Sequence, residues 1–101
     1  MGLIDKGEMD WKIIVVRTED PLFTEYDDID DVPKAVTDGI MEWFRWYKSP
    51  DGHVNHFANN DEWYNKTVAQ FIIESTHEDW LDLVQGNVPA NDNWIGYTGA
   101  A

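Results

Sequence analysis

Asp5-Lys6-Gly7-Glu8-Met9-Asp10-Trp11-Lys12 is the stretch on which the reading of this chain turns. Two aspartates stand five positions apart, and a lysine follows two residues after the second. The apolar β-formers Ile13-Ile14-Val15-Val16 come next, and the run predicts a buried strand over 12–17. A turn carrying Asp5 and a strand start carrying Asp10 would aim two carboxylates at one point. Carboxylate oxygens suit hard cations such as Mg²⁺, which keeps several waters and is commonly shared with substrate phosphates. Lys12 would lie on the strand face of Asp10 by period-2 alternation, where its charge could meet an anion.

A second stretch, Glu42-Trp43-Phe44-Arg45-Trp46-Tyr47-Lys48-Ser49-Pro50-Asp51-Gly52, closes an amphipathic segment with a Tyr-Lys pair and a turn. The helix is predicted from Pro33, suited to a first helical position, to Lys48. Val36, Ile40, Trp43, Phe44 and Tyr47 form its apolar stripe. A second helix is predicted from Asn60 to Gln85, with Ala69, Ile72, Ile73, Thr76, Trp80 and Leu83 buried and Gly86 as its C-cap. Residues 53–58 form a short extended link, and the acidic loop at Asp27, Asp28, Asp30 and Asp31 reads as helix capping. The segment 87–101 is an irregular tail in which Trp94, Ile95 and Tyr97 could anchor on a groove. His53 and His56 read as a surface pair. Trp11, Trp43 and Trp80 read as core.

Taken in order, these two stretches resemble the family I soluble inorganic pyrophosphatases of eukaryotic type. Asp20-Pro21-Leu22, Asp28-Ile29-Asp30-Asp31-Val32 and Ile72-Ile73-Glu74-Ser75-Thr76-His77-Glu78-Asp79-Trp80 carry the same likeness, over roughly residues 2–85. The resemblance implies a Mg²⁺-dependent hydrolase, with Mn²⁺ as a substitute, that splits pyrophosphate into two phosphates by metal-activated water. It assigns Asp5 and Asp10 to metal, and Lys12, Tyr47 and Lys48 to a product-side phosphate. Lys6, after Asp5, departs from an acidic residue common in relatives. The family's upstream acidic cluster has no counterpart before Asp5, so the expected piece is a C-terminal-side fragment with no complete catalytic set, inactive in isolation. The implied fold is α+β: two helices packed on a remnant of the family's β-barrel, residues 1–86 forming a partial domain ahead of the 87–101 tail.

Composition sets the outer limits. The 101 residues carry 43% apolar content and six tryptophans, enough for one small core. No apolar run is long enough to span a membrane, and the absence of cysteine fits a cytoplasmic protein. A net charge of −13 argues against nucleic acid as a partner. A strand at 12–17 stripped of barrel neighbours would expose an edge, so a homo-oligomer is expected. The alternative to the enzyme reading is a small acidic module that binds another protein or its own copy.

Overall fold

The computed structural model describes residues 1–91 and 96; the expected anchors Trp94, Ile95 and Tyr97 lie outside the described residues. The chain divides into two compact units, Met1–Ala69 and Gln70–Ala101.

The first unit is built on a three-stranded antiparallel sheet in the order β2-β1-β3. Strand β1 (Gly2–Asp5) and strand β2 (Glu8–Trp11) form a hairpin, with Leu3 opposite Asp10 and Asp5 opposite Glu8. Lys6 and Gly7 make the two-residue turn, both at positive φ (52° and 81°). This is the turn whose twist matches paired strands, and glycine enters that region without steric cost. The quoted aspartate segment is therefore the hairpin itself. The predicted strand at 12–17 is not formed: backbone pairing reaches only Lys12, opposite Met1, and Val15 is 76% exposed. The apolar run was misleading because strand identity depends on a partner, and β1, with only four residues, pairs with 8–11 and leaves 13–16 beyond its end.

Helix α1 (Lys34–Trp46) begins after Pro33 and ends at Tyr47, close to the predicted span. Its buried face overlaps the expected one at Ile40 and Phe44 and is rotated away from Val36 and Trp43. Thr37 and Met41 are buried, with Ile40 and Phe44 packed against the core, while Val36 and Trp43 are exposed, Trp43 at 61%. Trp43 instead stacks on Tyr47 at 5.0 Å and 16°. The part of this broad apolar face that meets the sheet becomes the core. The 3-10 turn Ser49–Asp51 follows, and then β3 (His56–Phe57), which pairs Phe57 with Leu3 and His56 with Ile4.

The core is Met1, Leu3, Met41 and Phe57, with Ile40, Phe44 and Trp63 against it. Asn55, fully buried, ties β3 to α1: its amide N–H donates to the Arg45 carbonyl (3.1 Å) and its Nδ2 to the Phe44 carbonyl (2.9 Å).

The second predicted helix starts later than expected. A single turn, α2 (Ala58–Asp61), holds Asn59 and Asn60 at left-handed φ (64° and 54°), and Asp61 follows at 60°. Asn and Asp tolerate this region, which no right-handed helix can continue. Helix α3 (Lys66–Val84) opens only after it, with Asn65 Oδ1 accepting from the Val68 amide. The acidic loop is expected from sequence to cap the helix that follows it, but α1 has no side-chain cap and the loop's acids serve other ends. Asp28 caps the 3-10 turn Ile29–Asp31 and accepts from the Lys66 amide at 2.9 Å.

In the second unit, α3 closes at Gly86 as expected. Gly86 (φ 77°) donates to the Leu83 carbonyl and Asn87 to that of Asp82. Its apolar stripe is not buried, contrary to expectation: no residue of α3 is buried, Phe71 is 66% exposed, and Trp80 stacks on His77 at 5.5 Å. Among the described residues no helix is long and apolar enough to cross a membrane.

Candidate active site

The hairpin register puts Asp5, Asp10 and Leu3 on one face of the sheet, because directly opposed residues in an antiparallel pair point the same way. Lys12 continues that face: its amide donates to the Met1 carbonyl at 2.9 Å, extending the ladder by one pair. The same face carries Leu3 and Phe57 into the core beside α1. Lys48, just past the end of α1, reaches Asp5 at this edge of the sheet, and Tyr47 beside it lies against Phe44.

A circuit of contacts joins the five residues. Lys12 pairs with Asp10 at 3.1 Å, and its ammonium lies 5.1 Å from the Phe44 ring centre. Phe44 meets Tyr47 edge to face at 5.6 Å. The Lys48 ammonium sits 5.5 Å from the Tyr47 ring and closes on Asp5 Oδ2 with a short ion pair. The fold thus brings together all five residues assigned from the sequence, as two cation–carboxylate pairs bridged by aromatic rings.

Asp5 is the most enclosed of these carboxylates, its side chain 17% exposed. The hydrogen bond from Lys48 holds its carboxyl below the usual carboxylate value. The charges of Lys48 and His53 add to this and burial opposes it. Lys48 is raised in turn, chiefly by its bond to Asp5. A lowered carboxyl stabilises the fold above its unfolded value and loses that contribution as pH falls through the folded one. A raised lysine contributes below its unfolded value and loses that as pH rises through the folded one. The pair therefore stabilises the fold from the ordinary carboxylate value of 3.8 up to the ordinary lysine value of 10.5, fading beyond each limit. Urea midpoints measured against pH should show it. Asp5→Asn should flatten the acid limb below pH 3.8.

His53 belongs to this cluster and is not half of a surface pair. Its Nε2 lies 3.2 Å from Asp5 Oδ1, while His56 is exposed on β3. The signal that could have found it is the Pro50-Asp51-Gly52 turn: Gly52, at φ 74°, reverses the chain and returns the next residue to the site.

Asp5 and Asp10 offer hard oxygen donors on one face, and Asp5 Oδ1 faces His53 Nε2 at 3.2 Å. These features fit a divalent cation that completes its shell with water or with donors from elsewhere. Among the described residues, no three His, Cys, Asp or Glu side chains converge into a full cage.

Comparison with known proteins adds the frame for this geometry. The sequence model of a family described as inorganic pyrophosphatase matches residues 1–81. The chain is 46% identical over 92 residues to an inorganic pyrophosphatase of Zygosaccharomyces bailii, covering 87% of this chain and 32% of that protein. It is 46% identical over 88 residues to one from Bos taurus, covering 83% of this chain and 30% of that protein. An inorganic pyrophosphatase structure from Schistosoma japonicum superposes with TM-score 0.82 at 40% identity, over 90% of this chain and 34% of that one. A truncated vacuolar soluble pyrophosphatase from Trypanosoma cruzi, solved in complex with PPi, gives TM-score 0.76 at 43% identity, over 81% of this chain and 33% of that one. The chain thus spans about a third of the length of the curated relatives it matches.

Proposed function

Since the chain belongs to the inorganic pyrophosphatase family, we propose that it supplies one wall of a Mg²⁺-dependent diphosphatase site that hydrolyses pyrophosphate to two phosphates. The observation that carries this reading is the placement of Asp5, Asp10 and Lys12 on one sheet face, with Tyr47 and Lys48 brought to it by the end of α1. Asp5 and Asp10 are the residues that would hold Mg²⁺, or Mn²⁺ in its place. The bound cation's chemistry is to neutralise phosphate oxygens and lower the pKa of the attacking water.

What the chain's own residues contribute is position and charge. Lys12 and Lys48 pair with Asp10 and Asp5 and are the ammonium groups that would meet phosphate oxygens where those carboxylates held a cation. The ammonium groups offer charge and the Tyr47 hydroxyl a neutral donor, together suited to a phosphate. Phe44 and Trp43 brace Tyr47 from two sides and fix its ring. Water activation needs more acidic groups than this face provides, so the 101-residue chain by itself should release no phosphate above a no-enzyme control.

Titration with Mn²⁺ followed by NMR tests the assignment. Amide signals of Asp5 and Asp10 should broaden first, with a dissociation constant on the order of millimolar. Phosphate added with Mg²⁺ should then shift Lys12, Tyr47 and Lys48. Broadening that begins at Asp27–Asp31 would refute the placement.

Zero cysteines agree with residence in the reducing cytoplasm. A second reading, self-association into a homo-oligomer, is favoured by apolar side chains left in solvent, Val15 and Phe71 above all. Its route is not the predicted 12–17 strand, which does not form. Sedimentation at micromolar concentration decides it: a sharp monomer boundary would discard this reading and leave the site assignment intact.

A further inference from the structure

Strand β2 is an edge of the sheet, and no other strand lies on its outer side among the described residues. The pairing of Met1 with Lys12 fixes which groups face that side. The Lys12 amide donates to the Met1 carbonyl at 2.9 Å, and the Met1 nitrogen donates to the Lys12 carbonyl at 2.6 Å. Bonded and non-bonded pairs alternate along an antiparallel ladder, so Asp10 bonds inward to Leu3 while Met9 and Trp11 stand in non-bonded pairs. The backbone N–H and C=O of Met9 and Trp11 therefore point away from β1, and by the same alternation so do those of Ile13. A row of such groups is a template for a further strand. Nothing in the sequence blunts it: no proline falls within residues 8–13, and Met9 is 47% exposed.

We propose that the occupant of this edge is β2 of a second copy of the chain, paired antiparallel about a two-fold axis at Trp11. The inference rests on the self-association reading and gives it a route and a register. Outward-facing residues must oppose one another, so the two strands can slide only in steps of two residues. With Trp11 opposite Trp11 of the copy, Met9 meets Ile13 and Asp10 meets Lys12, each pair occurring twice by symmetry. Sliding by two residues one way sets Asp10 against Asp10, and the other way sets Lys12 against Lys12. Like charges directly opposite destabilise a ladder, and opposite charges support it. In a chain of net charge −13, self-contact is favoured only where opposite charges meet, and this register makes two such meetings. Asp10 shares the sheet face of Leu3, so the copy brings its Lys12 ammonium to the carboxylate face of the candidate site.

The test is sedimentation equilibrium of the 101-residue chain and of Asp10→Lys and Lys12→Asp, each checked for an intact fold by circular dichroism. Either variant alone sets like charges across the axis twice and should associate at least about tenfold more weakly than the parent. An equimolar mixture of the two restores opposite charges across the axis at the parent's total charge, and should recover the parent's affinity to within about threefold. The Asp10–Lys12 pair inside each chain stays broken in that mixture, so recovery reports contact between chains alone. Hydrogen exchange in the parent is an independent arm, and it decides alone if a variant does not fold. The Met9 and Trp11 amides should gain protection as concentration rises, whereas those of Asp10 and Lys12, bonded within the hairpin, should be protected throughout. Three results would each overturn the inference and leave self-association standing: unchanged association in both variants, a mixture no tighter than its components, or Met9 and Trp11 amides that exchange freely in the associated parent. A parent that stays monomeric at the highest concentration reached overturns both.

Discussion

Leu3→Ala should cost about 3 kcal/mol of folding stability, the range seen when a buried leucine is cut back and its cavity stays open. Leu3 is fully enclosed, at 0% exposure, in the central strand of the sheet. Strands β2 and β3 hold it from both sides, and it packs in one core with Met1, Met41 and Phe57. Collapse into the void is hindered because the backbone on both flanks is fixed by sheet pairing. A domain of this size has roughly 5–15 kcal/mol in total, so the melting temperature should drop by roughly 10–20 °C. Val15→Ala is the matched control: the same kind of truncation at a 76% exposed position should change stability by less than about 0.5 kcal/mol. Equal losses in the two variants, read from thermal and urea unfolding, would show that the core is not where the structure places it.

Asn55→Asp changes one atom and should be as damaging near neutral pH. The Asn55 Nδ2 donates to the Phe44 carbonyl at 2.9 Å, and its Oδ1 has no partner. A carboxylate there would set an oxygen against that carbonyl and bury a charge with no cation assigned to it. An uncompensated buried charge of this kind costs about 3–5 kcal/mol. The effect should ease in acid. Burial raises the new carboxyl's pKa in the folded state, so the folded chain binds the proton more tightly and the variant gains stability as pH falls through that value. The protonated acid also regains a donor for the Phe44 carbonyl. The stability gap between variant and parent, measured from about pH 7 to about pH 4, should therefore narrow. A gap that stays constant would mean that Asn55 is more open to water than the structure has it. The loss would reach the site too, because Asn55 anchors the segment that carries His53 and the end of α1 that carries Tyr47 and Lys48.

The sequence by itself determined the order of the motifs, and with it the family. Residue types and spacing around Asp5, Asp10, Lys12, Tyr47 and Lys48 are chemical information that survives without coordinates. Helix α1 was legible within two residues at its C-terminal end, since Pro33 and Pro50 punctuate it and its periodicity is local. The Gly86 cap was legible for the same reason: a left-handed closing residue is a property of the chain. Tertiary structure decided the rest. Which four residues pair with Gly2–Asp5, and so whether 8–11 or 12–17 is the strand, depends on a partner that local hydrophobicity does not identify. How far the buried face of α1 is rotated, keeping Ile40 and Phe44 but replacing Val36 and Trp43 with Thr37 and Met41, depends on what meets Leu3 and Phe57. The left-handed run at Asn59–Asp61 is allowed by its residue types but required only by the path from β3 to α3. His53 sits 48 positions beyond Asp5, and only the reversal at Gly52 and the clamp on Asn55 bring its ring against that carboxylate. Spacing along a chain records which groups are available. Their meeting at 3.2 Å is fixed by strand pairing and packing, which no local stretch of sequence contains.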